Sequence, residues 1–312
     1  VSYLPEEFRP LIERCPALAL IGNTPLVRID FPEISKPGVE VYAKVEYFNP
    51  GGSIKDRPVL WMLANAILDG RLTPERVVID SSSGNAGIAY AMIGGALGYK
   101  VKLVVPGNAS QERKRRILAH GAELHCTDAV EGYDEALREV HRQVAADPDK
   151  YFFSNQYANE HNWKAHFYTT AAEILDQTDR KITHFVGGVG TGGSITGIGR
   201  RLKEEIPDLE VTMILPDPFP GIEGLKSMAS EDDIVPAIFD DGVVDHRMNV
   251  NIDHAYDMCQ KLAKIGFFVG QSSGAYLQGV KEVVSRIDRG VVVTIFNDIG
   301  ERYFSTGLWG HD

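Results

Sequence analysis

Cysteine is scarce in this chain. Cys15, Cys126 and Cys259 are the only three in 312 residues, and they lie far apart with no Cys-x-x-Cys pair. With no histidine at ligand spacing either, they form neither a disulfide framework nor a zinc site, and no metal is expected. Positive charge is also in deficit: 32 Lys and Arg against 43 Asp and Glu leave a formal net charge of −11. Such a balance does not suit a phosphate backbone, so nucleic acid is not an expected partner. The one basic run, Arg113-Lys114-Arg115-Arg116, is short enough to read as a solvated helix face. Long apolar stretches are missing too, and none reaches the roughly 18 residues that a membrane span requires. The N-terminus, VSYLPEEFRPLIERC, has acidic residues and a proline where a signal peptide needs a basic stretch and then an apolar run. These absences predict a soluble, cytoplasmic protein with no membrane partner.

What is present is an ordinary globular composition, 44% apolar and 24% charged, which is enough to bury a sizeable core. At this length two domains sharing a cleft are favoured over a single core. Strands are predicted over 39–47, 76–80, 100–105, 122–127, 181–188, 210–215 and 290–296. Helical patterns occupy 58–69, 87–97, 111–120, 132–146, 163–178, 196–206, 252–265 and 274–286. Strands nearly continuous in Val and Ile, alternating with helices, predict α/β architecture with mainly parallel sheets covered on both faces. Asp147-Pro148-Asp149 breaks a helix before a new apolar run, which marks 147–153 as a domain junction. The patternless segment 216–249 is too long for an idle loop and is expected to carry binding function.

Four glycine- and serine-rich stretches stand at element junctions, where parallel α/β sheets bind ligands. The first, GGSIKDR, sets Lys55 between a flexible glycine pair and a charged couple. The second, DSSSGNAG, reads either as a helix cap or as a nest of N–H and O–H donors for a carboxylate. In the third, GGVGTGGSITG, backbone N–H groups and a helix N-terminus form a cup for phosphate. Its Gly188, Gly190 and Gly193 also satisfy GxGxxG, and Asp217 follows about twenty residues on, so a dinucleotide is a competing ligand. The fourth is GQSSGAY, which alone would be a cap. Together, a lysine, a carboxylate nest, a phosphate cup and a serine pair are the parts of a pyridoxal phosphate site. An oxidoreductase would leave three of the four unused.

In these motifs, from Ile21-Gly22-Asn23-Thr24-Pro25 to Glu301-Arg302-Tyr303, the chain resembles the β-family, fold type II pyridoxal phosphate enzymes, and within them the cysteine synthases. The resemblance implies a tryptophan synthase β-like fold of two α/β domains with pyridoxal 5′-phosphate in the cleft. Residues 1–19 and 47–156 would form the smaller domain, and 20–46 and 157–312 the larger. It implies that Lys55 is the Schiff-base lysine and also takes the substrate's α-proton. Asn85 would bond the ring hydroxyl, and Ser82, Ser83, Gly84 and Ala86 would grip the substrate carboxylate with Gln156. Gly190, Thr191, Gly192, Gly193 and Ser194 would hold the 5′-phosphate, while Ser272 would face the pyridine nitrogen. A neutral hydroxyl there makes a milder electron sink than aspartate would, favouring elimination and replacement at Cβ.

The implied activity is β-replacement of an O-activated L-serine by a sulfur nucleophile, sulfide or a protein thiocarboxylate, in a homodimer. Gly221 to Met228 resembles the loop of synthases that prefer O-phosphoserine, with Lys226 placed to meet the phosphate. The chain departs from the pattern at Ala86, commonly threonine, at Asn159-Glu160-His161-Asn162 for Asn-Pro-Ala-Asn, and at Thr170-Ala171-Ala172-Glu173 for Thr-Gly-Pro-Glu. The expectation includes no regulatory domain and no haem-binding extension, which disfavours a full-length cystathionine synthase. Two alternatives stand beside the synthase: a serine or threonine dehydratase-type elimination, and a catalytically silent binding protein, against which the intact Lys55 argues.

Overall fold

The structure is a computed structural model in which residues 3–228 and 235–310 are described. Part of the patternless 216–249 segment, residues 229–234, therefore lies outside the described residues, as do the extreme ends of the two expected domains. Among the described residues ten strands run in chain order: β1 (Leu26–Arg28), β2 (Val39–Val45), β3 (Val77–Asp80), β4 (Lys100–Pro106), β5 (Glu123–Thr127), β6 (Tyr151–Phe153), β7 (His184–Gly188), β8 (Glu210–Pro216), β9 (His246–Val250) and β10 (Gly290–Phe296). The α-helices are α1 (Arg9–Arg14), α2 (Asp56–Leu68), α3 (Asn85–Ala96), α4 (Gln111–Ala119), α5 (Gly132–Ala146), α6 (Glu160–Ala165), α7 (Ala171–Gln177), α8 (Gly193–Glu205), α9 (Ile252–Lys264) and α10 (Gln271–Arg286). The chain divides into two compact units, one of Val1–Leu4, Gly22–Phe48 and Trp163–Asp312, the other of Pro5–Ile21 and Asn49–Asn162.

The 5–21 and 49–162 unit is built on a four-stranded parallel sheet, order β5-β4-β3-β6. Ile79, Val104, Ala136, Val140 and Tyr151 form a buried cluster in which α5 covers one face of that sheet. Burying each of the larger aliphatic side chains contributes about 1.5–3 kcal/mol. Helix α3 is buried on nearly every side, which its small residues permit. The edge strand β5 is largely exposed and carries Glu123 and His125. Tyr151–Phe153, in the expected junction, pairs with β3 and so lies inside this unit's sheet. The basic run is not a solvated face. Arg113 and Lys114 are buried, Lys114 Nζ donates to Gly107 O at 2.6 Å, and Arg116 donates to Pro50 O at 3.3 Å, leaving Arg115 exposed.

The other unit contains a six-stranded sheet, order β1-β2-β10-β7-β8-β9, parallel except for the β1–β2 pair. Its central strands are apolar and almost wholly buried, as expected for a sheet covered on both faces. The predicted helix over 163–178 is interrupted by a π-helical turn, His166–Thr170, between α6 and α7. At the Asn23-Thr24-Pro25 stretch, Lys44 pairs with Glu173 at 2.6 Å, and both side chains are fully buried. Lys44 also donates to Thr24 O and Gln177 Oε1, while Glu173 accepts from Asn23 N–H at 3.0 Å. The buried ions are thus hydrogen-bonded as well as paired, the condition under which such charges are tolerated. The departure at Ala171-Ala172 leaves Glu173, the functional end of that motif, in place.

Candidate active site

Lys55 stands directly before α2, with its N–H donating to Ser53 Oγ at 3.3 Å. The preceding turn is tight: Gly52 has φ +75, its N–H donates to Asn49 O at 2.7 Å, and Gly51 N–H donates to the Asp56 carboxylate. A Cβ on Gly51 would fall 2.1 Å from Asp56 Oδ1, so only glycine admits this contact. The Lys55 side chain is half-buried, and loss of hydration draws its amine down to about 8. About a tenth of the amine is therefore neutral at pH 7, far more than for a hydrated lysine, as a nucleophile or base requires.

Strand β3 ends at Asp80, whose Oδ1 accepts from Ser82 N–H at 3.2 Å and from Gln156 Nε2 at 3.4 Å. Burial pushes the Asp80 carboxyl up to about 7. Because β6 runs parallel beside β3, with Ile79 opposite Phe153, the loops after both strands leave the sheet at one edge. Gln156 is thereby tied to the 82–86 loop, and Asn162 Nδ2 holds Gln156 O at 2.7 Å. Asn159 Nδ2 donates to Ser154 O at 2.9 Å, so both outer asparagines of the departing Asn159-Glu160-His161-Asn162 motif hold that segment. Gly84 caps α3, and Asn85 is its first residue. A Cβ on Gly87 would lie 1.8 Å from Ser82 O, so the loop folds back onto the helix only with glycine there. Ser83 is fully buried with its hydroxyl bonded to Tyr133, so its hydroxyl is already engaged. Ala86 is buried, with a methyl in place of the family's hydroxyl.

In the other unit, β7 leads through Val189–Gly192 into α8. Gly192 has φ +85 and Gly193 opens the helix, so the turn delivers backbone N–H groups at the positive end of α8. A Cβ on Gly190 would sit 2.5 Å from Gly224 O, and Lys226 N–H donates to Val189 O at 2.7 Å. The 221–226 segment is therefore pinned beside the cup by its backbone. Strand β10 runs parallel to β7, with Val292 opposite His184, so its carboxyl end shares an edge with the cup. Asn297 follows it there, donating from Nδ2 to Ser272 Oγ at 3.0 Å and from its backbone N–H to Ser273 Oγ at 2.9 Å. Ser272 is the second residue of α10 and is buried.

Sequence reasoning identified neither Asn297 nor Asp80 as a functional residue. Each is a polar residue at the carboxyl end of a predicted parallel strand, and that position was the available signal. The residues present fit pyridoxal phosphate. A glycine-lined helix end suits its dianionic phosphate, a desolvated lysine its aldehyde, and a buried hydroxyl its ring nitrogen. Among the described residues no group of acidic, histidine or cysteine side chains could hold a metal ion, and no helix is long and apolar enough to cross a membrane.

Residues 17–298 match the family described as pyridoxal-phosphate dependent enzyme. A cysteine synthase of Aquifex aeolicus is 49% identical across 94% of this chain and 91% of its own. Cysteine synthase B of Escherichia coli is 38% identical, covering 94% of this chain and 95% of its own. The crystal structure of a cysteine synthase from Entamoeba histolytica superimposes with a TM-score of 0.88 at 35% identity, over 94% of this chain and 90% of that one. A glycine cup, a desolvated lysine and a carboxylate loop on parallel α/β sheets thus accompany similarity along almost the whole chain, and the chain belongs to the fold type II pyridoxal-phosphate-dependent enzymes, alongside the cysteine synthases.

Proposed function

We propose that the protein is a cysteine synthase, replacing the β-substituent of an O-activated L-serine with a sulfur nucleophile to give L-cysteine. The observation that carries this reading is Lys55, an amine drawn down to about 8 in the same unit as the 82–86 loop and Gln156. When bound, pyridoxal phosphate supplies the electron sink that acidifies the substrate's Cα–H and lets the β-substituent leave. Lys55 Nζ anchors that group and takes the Cα proton. The substrate carboxylate is held by Ser82, Ser83, Gly84, Ala86 and Gln156, and Tyr133 bonds the Ser83 hydroxyl and helps fix that loop. Asn85 serves the ring hydroxyl, Gly190, Thr191, Gly192, Gly193 and Ser194 the 5′-phosphate, and Ser272 the pyridine nitrogen. The relatives do not favour dehydratase-type elimination or a silent binding role.

Lys226 makes O-phosphoserine the first choice of activated serine, since a phosphate entering beside the cup needs a cation. Sulfide and a protein thiocarboxylate are the two sulfur donors to assay. The enzyme is expected to be a cytoplasmic homodimer, in keeping with three cysteines that are all free thiols. Borohydride reduction of the holoenzyme followed by peptide mapping tests the central assignment. The coenzyme should be found on the peptide bearing Lys55, and Lys55→Ala should not retain it after reduction. Attachment at another lysine would overturn the assignment.

A further inference from the structure

We propose that Asn297 is a positioning residue that sets the hydrogen-bond direction of Ser272, making its hydroxyl a donor to the coenzyme's ring nitrogen and so keeping that nitrogen unprotonated. The inference rests on the reading of Ser272 as the partner of that nitrogen. A serine hydroxyl has one proton and two lone pairs, whereas an amide NH₂ can only donate. Asn297 Nδ2, at 3.0 Å, therefore occupies a lone pair of Ser272 Oγ and leaves the Ser272 proton available for another acceptor. The backbone of Asn297 holds Ser273 Oγ at 2.9 Å in the same way, which fastens the first turn of α10 to the end of β10.

Close packing leaves this turn little freedom. A Cβ on Gly270 would meet Asp298 Oδ1 at 2.2 Å, and one on Gly274 would meet Ala255 O at 2.1 Å. Ser272 and Asn297 are 6% and 8% exposed, too little for water to compete freely for the hydroxyl. Of the ionisable groups nearest the turn, the Asp298 carboxylate is a negative charge felt by both Tyr276 and Cys259, and it works against the arrangement. Burial pushes the Tyr276 phenol and the Cys259 thiol up, so both stay neutral, and Asp298 Oδ2 accepts from Tyr303 at 2.7 Å. The Tyr276 hydroxyl is also within hydrogen-bond reach of the Asn297 amide. Ser272 lies in the first turn of a 16-residue helix, whose positive end disfavours a pyridinium beside it. A donor hydroxyl and a helix dipole thus act in one direction, toward the weaker electron sink that suits chemistry at Cβ.

The test compares Asn297→Asp and Asn297→Ala, each in the wild-type and the Ser272→Ala background, with holoenzyme reconstituted from ¹⁵N-labelled pyridoxal phosphate. Wild type should show the ring-nitrogen resonance of a neutral pyridine. A carboxylate at 297 can only accept, so Asn297→Asp should claim the Ser272 proton and shift the resonance toward the protonated form, but only where Ser272 is present. Asn297→Ala should weaken coenzyme binding, followed by fluorescence titration of the apoprotein, by about 5- to 10-fold with Ser272 and not in Ser272→Ala. Equal losses in both backgrounds, or a resonance unmoved by Asn297→Asp, would overturn the inference while leaving the site intact. If Ser272→Ala itself changed neither the resonance nor coenzyme affinity, the pyridine-partner reading would fall and the inference with it.

Discussion

At Lys55 one amine has to be both charged enough to survive in water and neutral enough to react. Burial resolves this by drawing it from 10.5 to about 8. The rate at which pyridoxal phosphate attaches to the apoprotein should therefore rise with pH and reach half its maximum near 8, read from the absorbance of the bound coenzyme. A half-maximum near 10.5 would mean the amine is fully hydrated. Lys226 sets a different test. Lys226→Ala should lose ~1.5–3 kcal/mol of interaction with a phosphate, a fall of about 10- to 150-fold in kcat/KM for O-phosphoserine, with O-acetylserine turnover little changed. Equal losses for both substrates, or a wild-type enzyme that ignores O-phosphoserine, would remove Lys226 from the substrate site. Both lysines are singled out by motif, but what surrounds them was not legible. Neither Asp80 beside Gln156 nor Asn297 beside Ser272 is near its partner in sequence, so local pattern reports only their place at strand ends and not these pairings.

Among the elements, those with strong apolar runs were legible: the strands expected at 39–47, 100–105, 210–215 and 290–296 are present, with ends moved by at most two residues. Strand β9, HRMNV, lay unseen in the segment read as irregular. It is an edge strand with mostly exposed polar residues, so it carries no apolar run to detect. Strands β1 and β6 have three residues each, too few for a periodic signal. The break in the 163–178 helix escaped for another reason: a π turn keeps helical composition and changes only its hydrogen bonding. The Lys44–Glu173 pair joins β2 to α7 and holds Asn23 at φ +50. Glu173→Ala should cost ~3–5 kcal/mol by leaving Lys44 as an uncompensated buried charge, seen as a lower urea midpoint. Replacing both partners together, Lys44→Met with Glu173→Leu, should recover much of that loss. A small effect from Glu173→Ala would show that Lys44 finds other partners.

Over the whole molecule, the candidate site costs the apoprotein stability at working pH. A lysine lowered to about 8 releases its proton in the folded state before the unfolded one does, so its penalty is complete below 8 and disappears as pH rises toward 10.5. Asp80, raised to about 7 from 3.8, behaves oppositely: its penalty is absent below 3.8 and complete above 7. Both penalties coincide between about 7 and 8. The thermal midpoint of apo Lys55→Met should therefore exceed that of wild type by more at pH 7.5 than at pH 10, and that of Asp80→Asn by more at pH 7.5 than at pH 4. Differences independent of pH would mean that neither group is desolvated as described.

The sequence by itself determined the family, the coenzyme and the alternation of strand and helix, because these depend on local periodicity and on contiguous motifs that must touch a ligand through their own backbone. Only the tertiary structure decided which motif each residue serves. Parallel pairing sets the loop after β3 beside the loop after β6, and the cup after β7 beside Asn297 after β10. Depressed and elevated proton affinities follow from the same packing, since desolvation belongs to a folded environment and not to a residue type.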